Sequence, residues 1–280
     1  NTANGTYALW SNTTGYENTA NGHQSLYWNT TGNYNTANGS FALFKNTTGF
    51  SNTANGHQSL YSNTTGFSNT AYGYQSLYSN TTGSENTANG SYALWSNTTG
   101  YENTANGSLA LFNNTTGHNN TANGQQSLYW NTTGNNNTAN GQQSLFRNTT
   151  GHNNTATGLL ALASNTDGID NTANGAYALY FHATGNNNVA LGYNAGYGAS
   201  GVSFNNCTFV GSNSYPTTDR TNVTMLGYGI ADAQCTGDNQ VLLGNTSITQ
   251  IRAAVTSITA YSDGRYKTNI ENNVHGLDFI

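Results

Sequence analysis

The sequence predicts an all-β fold: a repeat β-solenoid, or β-roll, of 17-residue coils whose composition favours a trimer. Three observations lead there. The motif NTANG, or its variants NTAYG at Asn69 and NTATG at Asn154, opens at Asn1 and returns every 17 residues to Asn171, giving eleven units over residues 1–187. Each unit carries two turn signals, N-G and N-T-T-G, that divide it into two short extended segments. No apolar period of 3.6 residues runs through the region, so nothing argues for helix.

An uninterrupted period is what a stacked architecture demands, because each unit must sit on its neighbour in register. The consensus is N-T-A-N-G-x-x-[AS]-L-Φ-x-N-T-T-G-x-x, with Φ aromatic. Asn-Gly is also a tight-hairpin signal, so an up-and-down meander competes. A solenoid, however, sets identical positions above one another every ~4.8 Å. That geometry explains why Asn, Thr and Leu repeat by identity, since stacked Asn amides can bond along the ladder. A meander supplies no such reason, and the solenoid is the better reading.

The core looks thin. Each unit offers one Leu (Leu9, Leu26, Leu43 and onward to Leu179), small Ala, Ser and Thr, and an aromatic after the Leu. Ala163 breaks that aromatic series. So little apolar burial stands against the entropy of ordering each coil, which leans towards association of several stacks about a shared seam. The aromatics are expected in that core or seam; an exposed sugar-binding ladder is the alternative. A further regularity runs through all eleven units: Gln in the seventh position is followed by Ser, and Tyr, Phe or Leu by Ala. Either two coil types pack differently, with Gln58 bonding Gln75 and Gln126 bonding Gln143, or units have been duplicated.

Composition excludes several classes. Charged residues are 6% of the chain, the six Lys and Arg form no cluster, and the net charge is -5, so no basic surface for nucleic acid exists. No apolar run is long enough to span a membrane. The six His fall at unrelated phases of the unit without a second ligand at metal spacing, and no phosphate-binding loop is present, so no cofactor or metal is expected. Glu85 and Glu102 share the last position of adjacent units and read as solvated surface. Cys207 and Cys235 are either a bridge or two buried thiols. The Asn-X-Thr sequons, such as Asn12-Thr13-Thr14, read as the turn ladder in a bacterial or phage protein.

From residue 188 to 252 the coils become irregular and apolar. NVALG (188–192), TFVG (208–211), VTMLG (223–227) and QVLLG (240–244) are short strands closing on Gly. This segment resembles the head repeats of trimeric autotransporter adhesins, whose V-A-[IL]-G strands build a trimeric β-roll. The NTANG/NTTG units resemble arrays in bacterial and phage tail-fibre-domain proteins. Residues 253–280 form a connector strand and the run Ser262-Asp263-Gly264-Arg265-Tyr266-Lys267-Thr268-Asn269-Ile270, then Gly276-Leu277-Asp278-Phe279-Ile280. That run resembles the opening of the endosialidase-type intramolecular chaperone domain of phage tail spikes and fibres, and the rest of such a domain is expected to follow in a longer chain. The resemblance implies trimerisation of the fibre and, in many members, self-cleavage, with Ser262 as nucleophile and Lys267 as its base. Read alone, Ser262 and Asp263 cap a turn and Arg265 and Lys267 are solvated.

The function expected is therefore a structural, adhesive extracellular fibre on a virion or bacterial surface. Its partners would be its own copies, as a homotrimer or longer filament, and a host-surface glycan or receptor; no membrane insertion is expected. It would not be an enzyme acting on an external substrate. The alternatives are a glycan- or ice-binding solenoid and a self-cleaving fibre. Adjacent N-T-T, unlike T-x-T, puts only one Thr of each pair on a face, which disfavours ice.

Overall fold

The computed structural model describes residues 1–251. Residues 1–245 form one compact unit, and a second begins at Thr246. The first unit is a parallel β-solenoid. Fifteen strands make one sheet, from Thr2–Asn4 to Val241–Leu243, each paired parallel with the coil before and after it. Register never slips: Thr pairs with Thr and Ala with Ala through the repeats, and Ala173 pairs with Ala190 where the sequence turns irregular. At ~4.8 Å per strand the sheet runs about 67 Å. The meander is thereby excluded.

The coil from Asn86 to Glu102 illustrates the local logic. Its strand is Thr87–Asn89, with Ala88 buried and Thr87 and Asn89 facing out. The second extended segment expected from the two turn signals is not a strand. Residues Tyr92 and Leu94 are left-handed, at φ 59° and 52°, and so is Glu102 at 55°. The same three places are left-handed in coil after coil, which breaks β geometry.

Left-handed non-Gly residues cost about 1 kcal/mol or more each. What offsets this is alignment of the peptide groups along the stack. Tyr92 donates its N–H to Tyr74 O of the preceding coil at 2.9 Å. Leu94 and Ser96 donate theirs to Ala110 O and Phe112 O of the following coil, each at 3.0 Å. The segment thus curls round the interior while its backbone remains hydrogen-bonded to neighbouring coils, as buried backbone requires.

The interior is small but full. In this coil Ala88, Ala93, Leu94, Asn86 and Asn97 are fully buried. The Asn of N-T-T-G stands at a corner with its side chain turned inward. The aromatic that follows the Leu lies outside this core, half-buried on the coil surface, so its expected place in the core is corrected. The right-handed or left-handed preference of a residue did not place it there; the left-handed Leu simply points in and its successor points out.

After Asn188 the interior is rebuilt with larger groups. Inward strand residues change from Ala190 to Phe209 and Met225, and Phe204 and Ile230 are also fully buried. Gly196 stands where the repeats carry Leu. A Cβ there would come within 2.7 Å of the Phe209 ring and 2.8 Å of Leu179, so the glycine makes room for the phenyl group. The later coils do acquire a conventional apolar core. Cys207 and Cys235 are free thiols, both buried, and burial raises the Cys207 thiol above its ordinary value.

Candidate functional site

Columns of side chains run along the solenoid, and their order defines what it presents. Two are buried amide ladders. In one, Asn97 Nδ2 donates to Asn80 Oδ1 at 2.8 Å and to Gly100 O at 2.9 Å, and its own Oδ1 accepts from Asn114 at 2.8 Å. In the other, Asn103 donates its backbone N–H to Asn86 Oδ1 at 3.0 Å and its amide to Gly117 O at 2.8 Å. These Asn satisfy each other, so a polar interior carries no desolvation debt. The glycine of N-T-T-G is fixed by the same packing, because a Cβ on Gly83 would overlap Asn80 Oδ1 and the Gly100 carbonyl.

One ladder ends at His182. This residue takes the place of the Asn, is fully buried, and holds Gly185 O through Nε2 at 2.9 Å. Its Nδ1 accepts from the Phe204 N–H at 3.3 Å, which assigns the proton to Nε2. The ring lies parallel to Phe204 at 5.7 Å and sends nothing back to Asn165, whose Oδ1 has no partner among the described residues. Burial holds the His182 imidazole below its usual value, with the Gly185 bond opposing.

A pH dependence follows. Unfolded His titrates near about 6.5. As pH falls through that value the unfolded chain takes up a proton that the folded chain resists, so this group's contribution to stability declines with acidification. Thermal melts of wild type and His182→Asn from pH 7 to 5 should therefore diverge, wild type losing stability the faster. Parallel curves would contradict the assignment.

The exposed sheet face changes character along its length. Through the repeats it shows Thr and Asn; Asn106 bonds Asn123 and Asn123 bonds Asn140, both at 2.8 Å. In the last coils one outward column becomes wholly apolar, Leu191, Val210, Leu226 and Leu243, while the other reads Val189, Thr208, Thr224 and Val241; Val241 is 70% exposed and Leu191 49%. Early polar coils thus give way to an outward apolar strip.

The remaining columns are aromatic. Tyr27, Phe44, Tyr61, Tyr78, Trp95, Phe112, Tyr129 and Phe146 stack face to face, with centroids 5.1 to 5.7 Å apart. Lys45 lies over Tyr61, and partial burial pushes the Tyr61 phenol up. Between Phe44 and Tyr129 both faces of each ring are covered by its neighbours, so that run offers edges to solvent and not the open faces on which a sugar stacks. Two stacks have a gap. Ala163 separates Phe146 from Tyr180, which stacks on Tyr197 at 5.5 Å. In a second column Ser84 separates Phe67, stacked on Phe50, from Tyr101, stacked on His118. Periodicity identified the columns, but nothing in composition said that the gaps enclose space.

Gln75 bonds Gln58 at 2.6 Å and Gln143 bonds Gln126 at 2.8 Å, as expected where such units adjoin. The following Ser points inward and bonds the glycine carbonyl three residues back, as Ser59 does to Gly56 O at 3.0 Å. The two side chains use different partners, so nothing in the structure couples Gln to Ser. Ser262 and Lys267 lie outside the described residues, as do residues 253–280 generally. Among the described residues no group of three His, Cys, Asp or Glu is placed to hold a metal, and no helix is long and apolar enough to cross a membrane. Comparison with known proteins gives no match, either to a family model or to a curated sequence.

Proposed function

We propose that this chain is a length of structural, adhesive extracellular fibre that assembles as a homotrimer, and that it is not an enzyme acting on an external substrate. The observation that carries the reading is the change on the sheet face. A continuous hydrogen-bonded stack is a stiff shaft, and its polar Thr/Asn face is suited to water. The Val/Leu strip of Leu191, Val210, Leu226 and Leu243, with Val189 and Val241 beside its two ends, is not. A contiguous apolar patch on a soluble protein marks a contact surface. A second and a third copy of the same strip would cover it by rotational symmetry, leaving the polar coils outside. The serine and lysine at 262 and 267 would add self-cleavage only in a chain carrying the whole chaperone domain.

Light scattering on the purified chain should give three times its 29.6 kDa mass, and electron micrographs should show short rods. Leu226→Asp with Val241→Asp should return it to monomers that keep the β signal. A wild-type monomer would remove the trimer, and an unbranched head-to-tail filament of single chains would make the protein a polymer instead of a shaft.

A further inference from the structure

Along the stack, the gap at Ala163 is one ring high. Backbone register is intact across it: Arg147 N–H bonds Ala163 O at 3.0 Å and Ser164 N–H bonds Tyr180 O at 3.1 Å. Phe146 and Tyr180 therefore stand two coil steps apart, roughly 10 Å. Phe146 has one face against Tyr129 and Tyr180 has one against Tyr197, which leaves their other faces turned to the same space. A ring placed midway would lie about 5 Å from each, within the range for aromatic pairs and close to the spacing of the neighbouring rungs. The slot is part of a cavity of about 530 Å³ lined by Phe146, Leu160, Ala163 and Tyr180 and reaching past the slot to Ser200 and Gly201. Arg147 stands on its rim, and no acidic residue lines it.

We propose that this gap is a binding site for a small aromatic carboxylate. The ligand's ring completes the stack between Phe146 and Tyr180, and its carboxylate meets the Arg147 guanidinium, whose fork matches a carboxylate in geometry and charge. The parallel walls favour a flat ring: the same column already accepts Phe, Tyr and Trp at this spacing, with neighbouring planes mostly within 20° of each other. The second gap, at Ser84, is built the same way but differs in charge. Its cavity of about 240 Å³ is lined by Phe67 and Tyr101 together with Glu85 and Glu102, so it repels an anion. Anion preference is thus set by the rim residue and not by the ring slot.

The test titrates the intact chain with indole-3-acetate, followed by calorimetry and ligand-detected NMR. Wild type should bind at a single site. Ala163→Phe should supply the missing rung from within, keep or raise the melting temperature, and weaken binding roughly tenfold or more. Phe146→Ala, which removes one wall, should weaken it likewise. Arg147→Gln should cost roughly fivefold, as expected for a solvent-accessible ion pair. Ser84→Phe should change nothing. Undiminished binding to both Ala163→Phe and Phe146→Ala, or loss of binding in Ser84→Phe, would overturn the assignment. So would an absence of binding to wild type at millimolar ligand, or binding of glucuronate at Ala163 in place of the indole.

Discussion

Replacing Leu94 with Asp should unfold the coils around it, whereas Glu85→Ala should leave the array intact. Leu94 is fully buried, with Ala88 and Ala93 in the same closed interior. A carboxylate there has neither water nor a cation, and no polar atom is spare, because the adjacent Asn amides are already bonded to each other. The cost is several kcal/mol, borne mainly by the altered coil and its neighbours. Glu85 is exposed at the coil corner, and removing its charge relieves repulsion from Glu102 in the next coil. Circular dichroism and denaturant titration of the two variants measure this contrast. Equal tolerance would mean that the Leu column is not the core.

A comparable loss is expected from Asn97→Ala, although the substitution removes no apolar surface. It strands Asn80 Oδ1 and one N–H of the Asn114 amide, each bonded to Asn97 at 2.8 Å, while Gly100 O keeps the Asn86 amide and Asn114 keeps Gly117 O. At about 1–3 kcal/mol for each buried group left unpaired, the two together cost about 2 kcal/mol or more. In a linear repeat array the damage should stay near the altered coil, so amide exchange should accelerate around residues 80–114 and less towards the ends. Thr99→Ala, two positions away in the same turn and exposed, serves as the comparison and should shift the denaturation midpoint very little. If the two variants unfold alike, the ladder contributes no more than a solvent-exposed hydroxyl.

Much of the fold was written in the repeat itself. The 17-residue period, the identity of Asn and Leu at fixed positions and the paired turn signals required stacked coils with parallel, in-register strands. They also anticipated the Asn and Gln ladders and the buried Leu, because only residues lying above their own copies gain by being identical. The number of strands per coil was beyond that reading. Turn signals mark where the chain bends, but the left-handed Tyr92 and Leu94 are chosen by hydrogen bonds to coils above and below, and no local propensity favours them. The aromatics were expected in the core or a seam and lie outside the coil core, because the period fixes that they stack and says nothing of whether they face in or out. His182 as the stop of an amide ladder, and Ala163 as an empty rung between Phe146 and Tyr180, appear in sequence only as single departures from a consensus. Whether a departure leaves an orphaned acceptor or an open slot depends on how the neighbouring coils close around it, and that is a property of three-dimensional packing alone.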